Sequence, residues 1–233
     1  MKRVVSVLTI AIICTTVSYK SFAQKYFAGT VKFEIKYEGE IDPQKHVTKE
    51  YECDIFENKS KKNGNGQQII YDGDASTVTV LLDLTGVGYD RVGKIDTLQR
   101  DSTDGKFTYE PRGDTKTICG YECKGYNVTY TYIDEEYDEE EEIEVKFILY
   151  TTTEIGKDNR INVFEYPGLS GYPLYTEIEK DDVKTIIQAK EIKKGKVKAI
   201  DFMIPSNYRI HVTNEAWEEE GKKFNEFMEG KKE

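Results

Sequence analysis

Residues 27–37 read Phe-Ala-Gly-Thr-Val-Lys-Phe-Glu-Ile-Lys-Tyr. Phe27, Val31, Phe33, Ile35 and Tyr37 alternate with the charged Lys32, Glu34 and Lys36. Successive side chains of an extended chain point to opposite faces, so this period of two predicts a strand with one buried and one wet face. Val47, Tyr51, Cys53 and Ile55 repeat the pattern, with Thr48, Glu50, Glu52 and Asp54 between them.

Working outward, strand follows strand. Residues 77–84 (TVTVLLDL) are β-branched and apolar nearly throughout, which suits a central strand. Shorter candidates lie at 89–92, 95–99 and 107–109. Residues 126–133 and 143–153 read as a long hairpin, and strands at 174–178, 185–192 and 197–203 continue the meander. Residues 58–67 (NKSKKNGNGQ), 86–88 and 167–173 are polar or rich in Gly and Pro and read as loops or turns. Seventeen tyrosines among 233 residues fit strand faces that are half apolar and half wet. The period changes at the end: Trp217, Phe224, Phe227 and Met228 recur at helical spacing, which predicts an amphipathic helix over about 214–229. Thr213 or Asn214 would cap it, and Gly221 weakens its middle.

The N-terminus predicts export. Lys2 and Arg3 precede an uncharged, largely apolar run over 4–17, and Ser21-Phe22-Ala23 stands before Gln24. That is the basic, apolar and small-x-small order of a cleavable signal. The run is too short for a spanning helix, which needs about 20 apolar residues. A lipid-anchored alternative at Cys14 is disfavoured by bulky Ile13 before it. Residues 24–233 are then a single mature domain, large enough for one sizeable core, with no further transmembrane segment. The expected location is the periplasm, with secretion as the alternative. The net charge is −10, and loss of Lys2, Arg3 and Lys20 deepens it. A chain this acidic does not seek phosphate backbones, so nucleic acid is excluded as a partner.

Motifs for chemistry are absent. Gly168-Leu169-Ser170-Gly171 has Tyr172 where a nucleophile elbow needs glycine. Gly64-Asn65-Gly66 and Gly86-Val87-Gly88 lack the third glycine of a phosphate cradle. The acids between Asp134 and Glu144 sit at a predicted hairpin tip without the spacing of a calcium loop, and read as a solvated run with weak, nonspecific cation association. The two histidines, His46 and His211, stand in no metal-like cluster. No catalytic, cofactor-binding or metal-binding residue is assigned, and no cofactor is expected. Cys119-Gly120-Tyr121-Glu122-Cys123 is not a C-x-x-C redox motif. Export permits disulfides, and the favoured bridge is Cys119–Cys123 across a tight turn centred on Gly120-Tyr121, leaving Cys53 free; the rival pairs Cys53 with either partner.

Three segments carry a family resemblance: Thr115-Lys-Thr-Ile-Cys-Gly-Tyr-Glu-Cys123, Gly171-Tyr-Pro-Leu174, and Ile204-Pro-Ser-Asn-Tyr208. The chain resembles uncharacterised exported proteins of Gram-negative bacteria that share the fold of the outer-membrane lipoprotein carrier (LolA-like). The resemblance implies a strongly curved antiparallel half-barrel with helical cover and an apolar hollow for acyl chains. It departs from the carriers in having no N-terminal helix and no clear lid helix between strands. The reading is therefore a mainly β, noncatalytic protein binding a lipid-like or hydrophobic ligand in the hollow of a curved sheet. Its partners are lipid, lipoprotein or another envelope protein. The alternative is an envelope interaction module with a filled core and no small ligand; a hydrolase ranks third.

Export should cut the chain between Ala23 and Gln24. N-terminal sequencing of the exported protein is expected to begin at Gln24; a start at Met1, or lipid on Cys14, contradicts it.

Overall fold

The structure, a computed structural model, describes residues 26–39, 49–64, 66–97, 105–134, 141–155, 166–180 and 182–230. The signal-cleavage residues Ala23 and Gln24, together with His46, Val47 and most of the acidic run, lie outside them. The described chain is mainly β, with one sheet that does not close and one C-terminal helix.

Two meanders build the sheet. The first is β1 (Ala28–Glu38), β2 (Glu50–Phe56), β3 (Lys59–Gly64), β4 (Gln67–Asp72), β5 (Thr77–Asp83) and β6 (Arg91–Thr97). The second is β7 (Lys106–Ile118), β8 (Tyr121–Asp134), β9 (Glu141–Thr152), β10 (Tyr172–Lys180) and β11 (Val183–Lys194). Antiparallel pairing of β1 with β11 joins them into the order β12-β6-β5-β4-β3-β2-β1-β11-β10-β9-β8-β7. The outermost strand, β12 (Arg209–His211), adds in parallel beside β6. The 77–84 segment is therefore the third strand from an edge, yet Val78, Thr79 and Leu81 are buried, because both of its faces are covered.

The structure departs from the sequence pattern in two segments. The stretch over 58–67 is not a loop: it contains β3. Lys and Asn are poor strand formers, but pairing on both sides, with Cys53 opposite Lys62 and Lys62 opposite Ile69, overrides their propensity. The reversal is confined to the step between Gly64 and Gln67. The 197–203 segment is not a strand. It holds a single 3-10 turn, Ala199–Phe202, and lies as a cover over one sheet face, where Val197, Phe202, Ile204 and Tyr208 pack on Phe56, Ile70, Leu81 and Ile210. Gly93 lies under this packing; a Cβ there would meet Leu81 Cδ2 at 2.7 Å and Ile210 Cδ1 at 2.9 Å.

The main core joins Val31, Phe33, Cys53 and Ile55 of the first meander to Ala189, Leu174, Tyr121 and Cys123 of the second. Full burial of a side chain such as Ile55 or Leu174 contributes about 1.5–3 kcal/mol. Two register slips shape this region. Leu174 is the extra residue where Pro173 and Tyr175 face Thr151 and Tyr150, and Lys190 is the extra residue where Lys32 and Phe33 face Glu191 and Ala189. Such bulges increase local twist and re-aim side chains. The tip of the β7–β8 hairpin bends back far enough for the Cys119 thiol to donate to the Ala189 carbonyl of β11, at 3.3 Å.

Helix α1 (Asn214–Glu229) starts where Thr213 Oγ1 accepts the Ala216 N–H. It docks at the β12 end of the sheet and does not plug the centre. Trp217 meets His211, and Phe224 and Phe227 clasp the ring of Tyr89. At the middle of the contact Glu220 is 5% exposed. Its Oε1 accepts from Tyr89 Oη and Arg209 Nη2, each at 2.6 Å, and its Oε2 lies 3.2 Å from His211 Nε2. Burial alone would raise this carboxyl, but the Tyr89 hydroxyl and the Arg209 guanidinium outweigh it and hold Glu220 below the usual glutamate range. No helix among the described residues is long and apolar enough to cross a membrane.

Because the folded pKa of Glu220 is depressed, its contribution is present above the unfolded value of about 4.3 and disappears as pH falls through the lower folded value. Glu220→Gln should cost about 1–3 kcal/mol at neutral pH, the range for removing a hydrogen bond to a buried charge. The deficit should shrink in acid. Trp217 is the only tryptophan, so urea titrations followed by its fluorescence at neutral and acidic pH check both statements.

Candidate functional site

The two faces of the first meander end up with different jobs, and cross-strand register assigns them. On one face Cys53, Lys62, Ile69, Val80, Lys94 and His211 stand opposite one another in a row across β2, β3, β4, β5, β6 and β12. Helix α1 covers the far end of that row, where Lys94 Nζ reaches Asn214 and Trp217 reaches His211. Between α1 and β11 the described residues leave the row open at Lys62 and Ile69. There Ile35, Ile69 and Ile187, with Tyr51 and Lys62, line a recess of about 270 Å3; Ile35 faces Ile187 directly in the β1–β11 pairing.

Lys62 is unusual in this setting. A lysine on a strand normally sits on the wet face, and the alternation here turns it onto the apolar one. Its ammonium lies 4.3 Å from the Tyr51 ring centroid, and that ring stacks on Phe33 at 4.9 Å. Among the described residues no carboxylate pairs with Lys62, although its neighbours Lys59 and Lys61 pair with Asp72 and Asp54. The aromatic face supplies a weak cation–π attraction of about 0.5–1 kcal/mol and leaves the charge free to meet an anion.

The opposite face carries the row Lys32, Glu52, Asn63, Gln68, Leu81, Gly93 and Ile210. Its Leu81–Ile210 half is roofed by the 197–208 segment, and its polar half is not. The result is a trough of about 490 Å3, lined by Lys32, Glu50, Glu52, Asn63, Gln68 and Tyr208 among others.

A third constellation belongs to the second meander. Lys116 Nζ lies 4.2 Å and 4.1 Å from the ring centroids of Tyr150 and Tyr175. Tyr150 donates to Asp114 and Tyr175 to Glu177, which also pairs with Lys184 at 2.6 Å. Burial first, then the adjacent carboxylate, pushes both phenols above their ordinary range, while Lys184 and Tyr175 hold Glu177 low. Those directions disable rather than activate: neither phenol becomes a nucleophile and Glu177 stays ionised. The cluster is a packed structural network. Among the described residues no group of three or more His, Cys, Asp or Glu is placed to hold a metal ion.

The bridge expected between Cys119 and Cys123 is not formed; Cys53, Cys119 and Cys123 are all free thiols. The turn is centred one residue earlier than expected. Ile118 faces Tyr121, so Cys119 and Gly120 form the two-residue loop, with φ of 49° and 85°. Two consecutive positive φ values are what such a hairpin loop requires. Cys119 thus sits exposed at the tip, while Cys123 is already two residues into β8, opposite Lys116 and fully buried. Cys53 does not take up the rival pairing.

The residues lining the two openings are hard to read from the local sequence for a physical reason. Lys62, Asn63 and Gln67 fall in the polar stretch that reads as a loop, because their side chains carry no apolar alternation. The available signal was Asn65-Gly66, the dipeptide favoured in two-residue hairpin loops, which implies strands on both sides of it.

No protein-family model matches the chain, and no curated protein matches it. Among solved structures, a likeness is found to the one titled "Structure of PNGF-II in C2 space group", at 13% identity and a TM-score of 0.46. The match covers 80% of this chain and 31% of that one, so this chain spans about a third of that protein's length. Similarity of that size assigns no activity here.

The cysteines should separate in reactivity. Burial pushes the Cys123 thiol up to about 11, and Cys53 is buried in the same main core. A thiol reagent at neutral pH should modify Cys119 alone in the native protein and all three mature cysteines after denaturation. Mass spectrometry of the labelled peptides checks this; a Cys119-containing disulfide peptide contradicts it.

Proposed function

We propose that this chain is a noncatalytic protein of the bacterial envelope that binds a small anionic amphiphile. The ligand's apolar part lies on Ile35, Ile69 and Ile187, and its acidic head meets Lys62. The observation that carries the reading is Lys62 itself: an ammonium on the apolar face of the sheet, at the edge of an apolar recess, with no carboxylate partner among the described residues. An ammonium in such surroundings gains more from an incoming anion than it does in open water, because the local dielectric is lower. The predicted export signal and the LolA-like resemblance support the envelope location and a lipid-like ligand.

Volume limits the ligand. Ordinary small-molecule sites run from about 300 to 1,000 Å3. The recess, at about 270 Å3, suits a short acyl chain better than a long one. The main core beside it is filled by Phe33, Cys53 and Tyr172, so a long chain finds no room to continue inward.

Displacement of a fluorescent fatty-acid probe from the purified mature protein tests the proposal. Short- and medium-chain carboxylates should displace the probe. Lys62→Gln should weaken binding about tenfold, the loss of one charge-assisted contact. Ile187→Trp, which fills the recess, should abolish it. Binding that ignores both substitutions contradicts this site. Absence of binding leaves the interaction module with a filled core.

A further inference from the structure

The polar trough on the opposite face is a second and chemically different opening. We propose that it binds a hydroxyl-rich, uncharged ligand, a saccharide unit, through Glu52, Asn63, Gln68 and Tyr208.

One row along, the sheet satisfies itself. Thr30 donates to Asp54 at 2.7 Å, Lys61 pairs with Asp54 at 3.5 Å, and Lys61 also donates to the Asp201 carbonyl of the cover segment at 2.8 Å. The cover ends there, and the Lys32–Glu52–Asn63–Gln68 row beyond it is left open. Most charges lining the trough are spent. Glu50 holds Lys32 at 2.7 Å and Lys190 at 3.2 Å, and Asp83 holds Arg91 at 2.9 Å. Lys190 can reach Glu50 because it is the extra residue of the β1–β11 bulge.

What remains is a different set. Glu52, Gln68 and the Tyr208 hydroxyl make no hydrogen bond or ion pair among the described residues. Asn63 Oδ1 is buried and has no hydrogen-bond partner among the described residues. A buried acceptor left unsatisfied is costly, and native proteins rarely carry one without a reason. These leftovers include acceptors (the Glu52 carboxylate and Asn63 Oδ1) and groups that donate (the Gln68 amide and the Tyr208 hydroxyl). A phosphate or carboxylate would supply acceptors only and would face Glu52. A ligand bearing adjacent hydroxyls supplies both donor and acceptor at each position and matches the mixture. The trough's volume of about 490 Å3 lies within the range of small-molecule sites.

The trough and the amphiphile recess share Tyr51, Asn63, Gly64 and Gln67 at their common margin, but Glu52, Gln68 and Tyr208 line the trough alone and Lys62, Ile35 and Ile187 the recess alone. Substitutions at those unshared residues tell the two openings apart. Amide NMR spectra of the mature protein are recorded during titration with glucose, maltotriose and the N-acetylglucosamine trimer, with spermidine as a cationic control. At least one saccharide should shift the signals of Lys32, Glu52, Asn63 and Gln68. Glu52→Gln, isosteric and compatible with folding, should weaken that binding about tenfold, and Asn63→Leu at least as much, as expected for lost polar contacts. Lys62→Gln should leave saccharide binding unchanged, and Glu52→Gln should leave fatty-acid displacement unchanged. Preference for a trimer over glucose would assign a polymeric glycan as the source, and equal binding a free sugar. The inference is overturned if no saccharide shifts these signals, if both trough variants bind as the parent does, or if only spermidine binds.

Discussion

The pairing of β1 with β11 holds the molecule together as one sheet. Every other antiparallel contact joins strands that follow one another in the chain. Such neighbours pair at smaller entropic cost, because the connections between them, the longest being residues 153–171, are far shorter than the one between β1 and β11. The β1–β11 ladder instead closes a loop that spans nearly the whole described chain, and what offsets that cost is apolar. Val31, Phe33 and Ile35 face Ile192, Ala189 and Ile187 across the two strands. The alternation in residues 27–37 is thus the element that makes one sheet out of two meanders.

That joint also creates the two openings. Ile35 and Ile187 form one wall of the apolar recess, and the Lys190 bulge on the same pair of strands turns a cation onto Glu50 beside the polar trough. The walls of the openings and the core of the fold therefore share residues. Substitutions at Ile187 will be felt in both, whereas Lys62 and Glu52, which line the openings without belonging to the main core, can be altered with less risk to folding.

The two sheet edges are protected by different means. The outer strand at one end, β12, is only three residues long and has α1 against it through the buried Glu220. The edge at the other end, β7, is long, but Pro111 lacks an N–H, the register breaks between Pro111 and Thr115, and Arg112, Asp114 and Lys116 carry charge. Short strands, proline, bulges and charge are the devices by which natural sheets avoid pairing edge to edge. The Asp114–Tyr150 and Glu177–Tyr175 network belongs to this end of the sheet and stiffens it.

Local pattern was enough for much of this architecture. Period-two alternation located β1 and β2, β-branched and aromatic runs located β5 and β8 to β11, and the shift to helical spacing marked α1 over its observed length. These signals are local, because each strand or helix must carry its own apolar stripe. Tertiary structure alone decided the rest. It made a strand of the polar 59–64 stretch by pairing both of its sides, and a roof of 197–208 because the apolar face beneath needed cover. It moved the hairpin turn onto Cys119-Gly120, which separated the two thiols expected to bridge. It also placed Lys62 and Asn63, consecutive in the chain, on opposite faces. A residue's face depends on register with strands elsewhere in the sequence, and no local pattern contains that register.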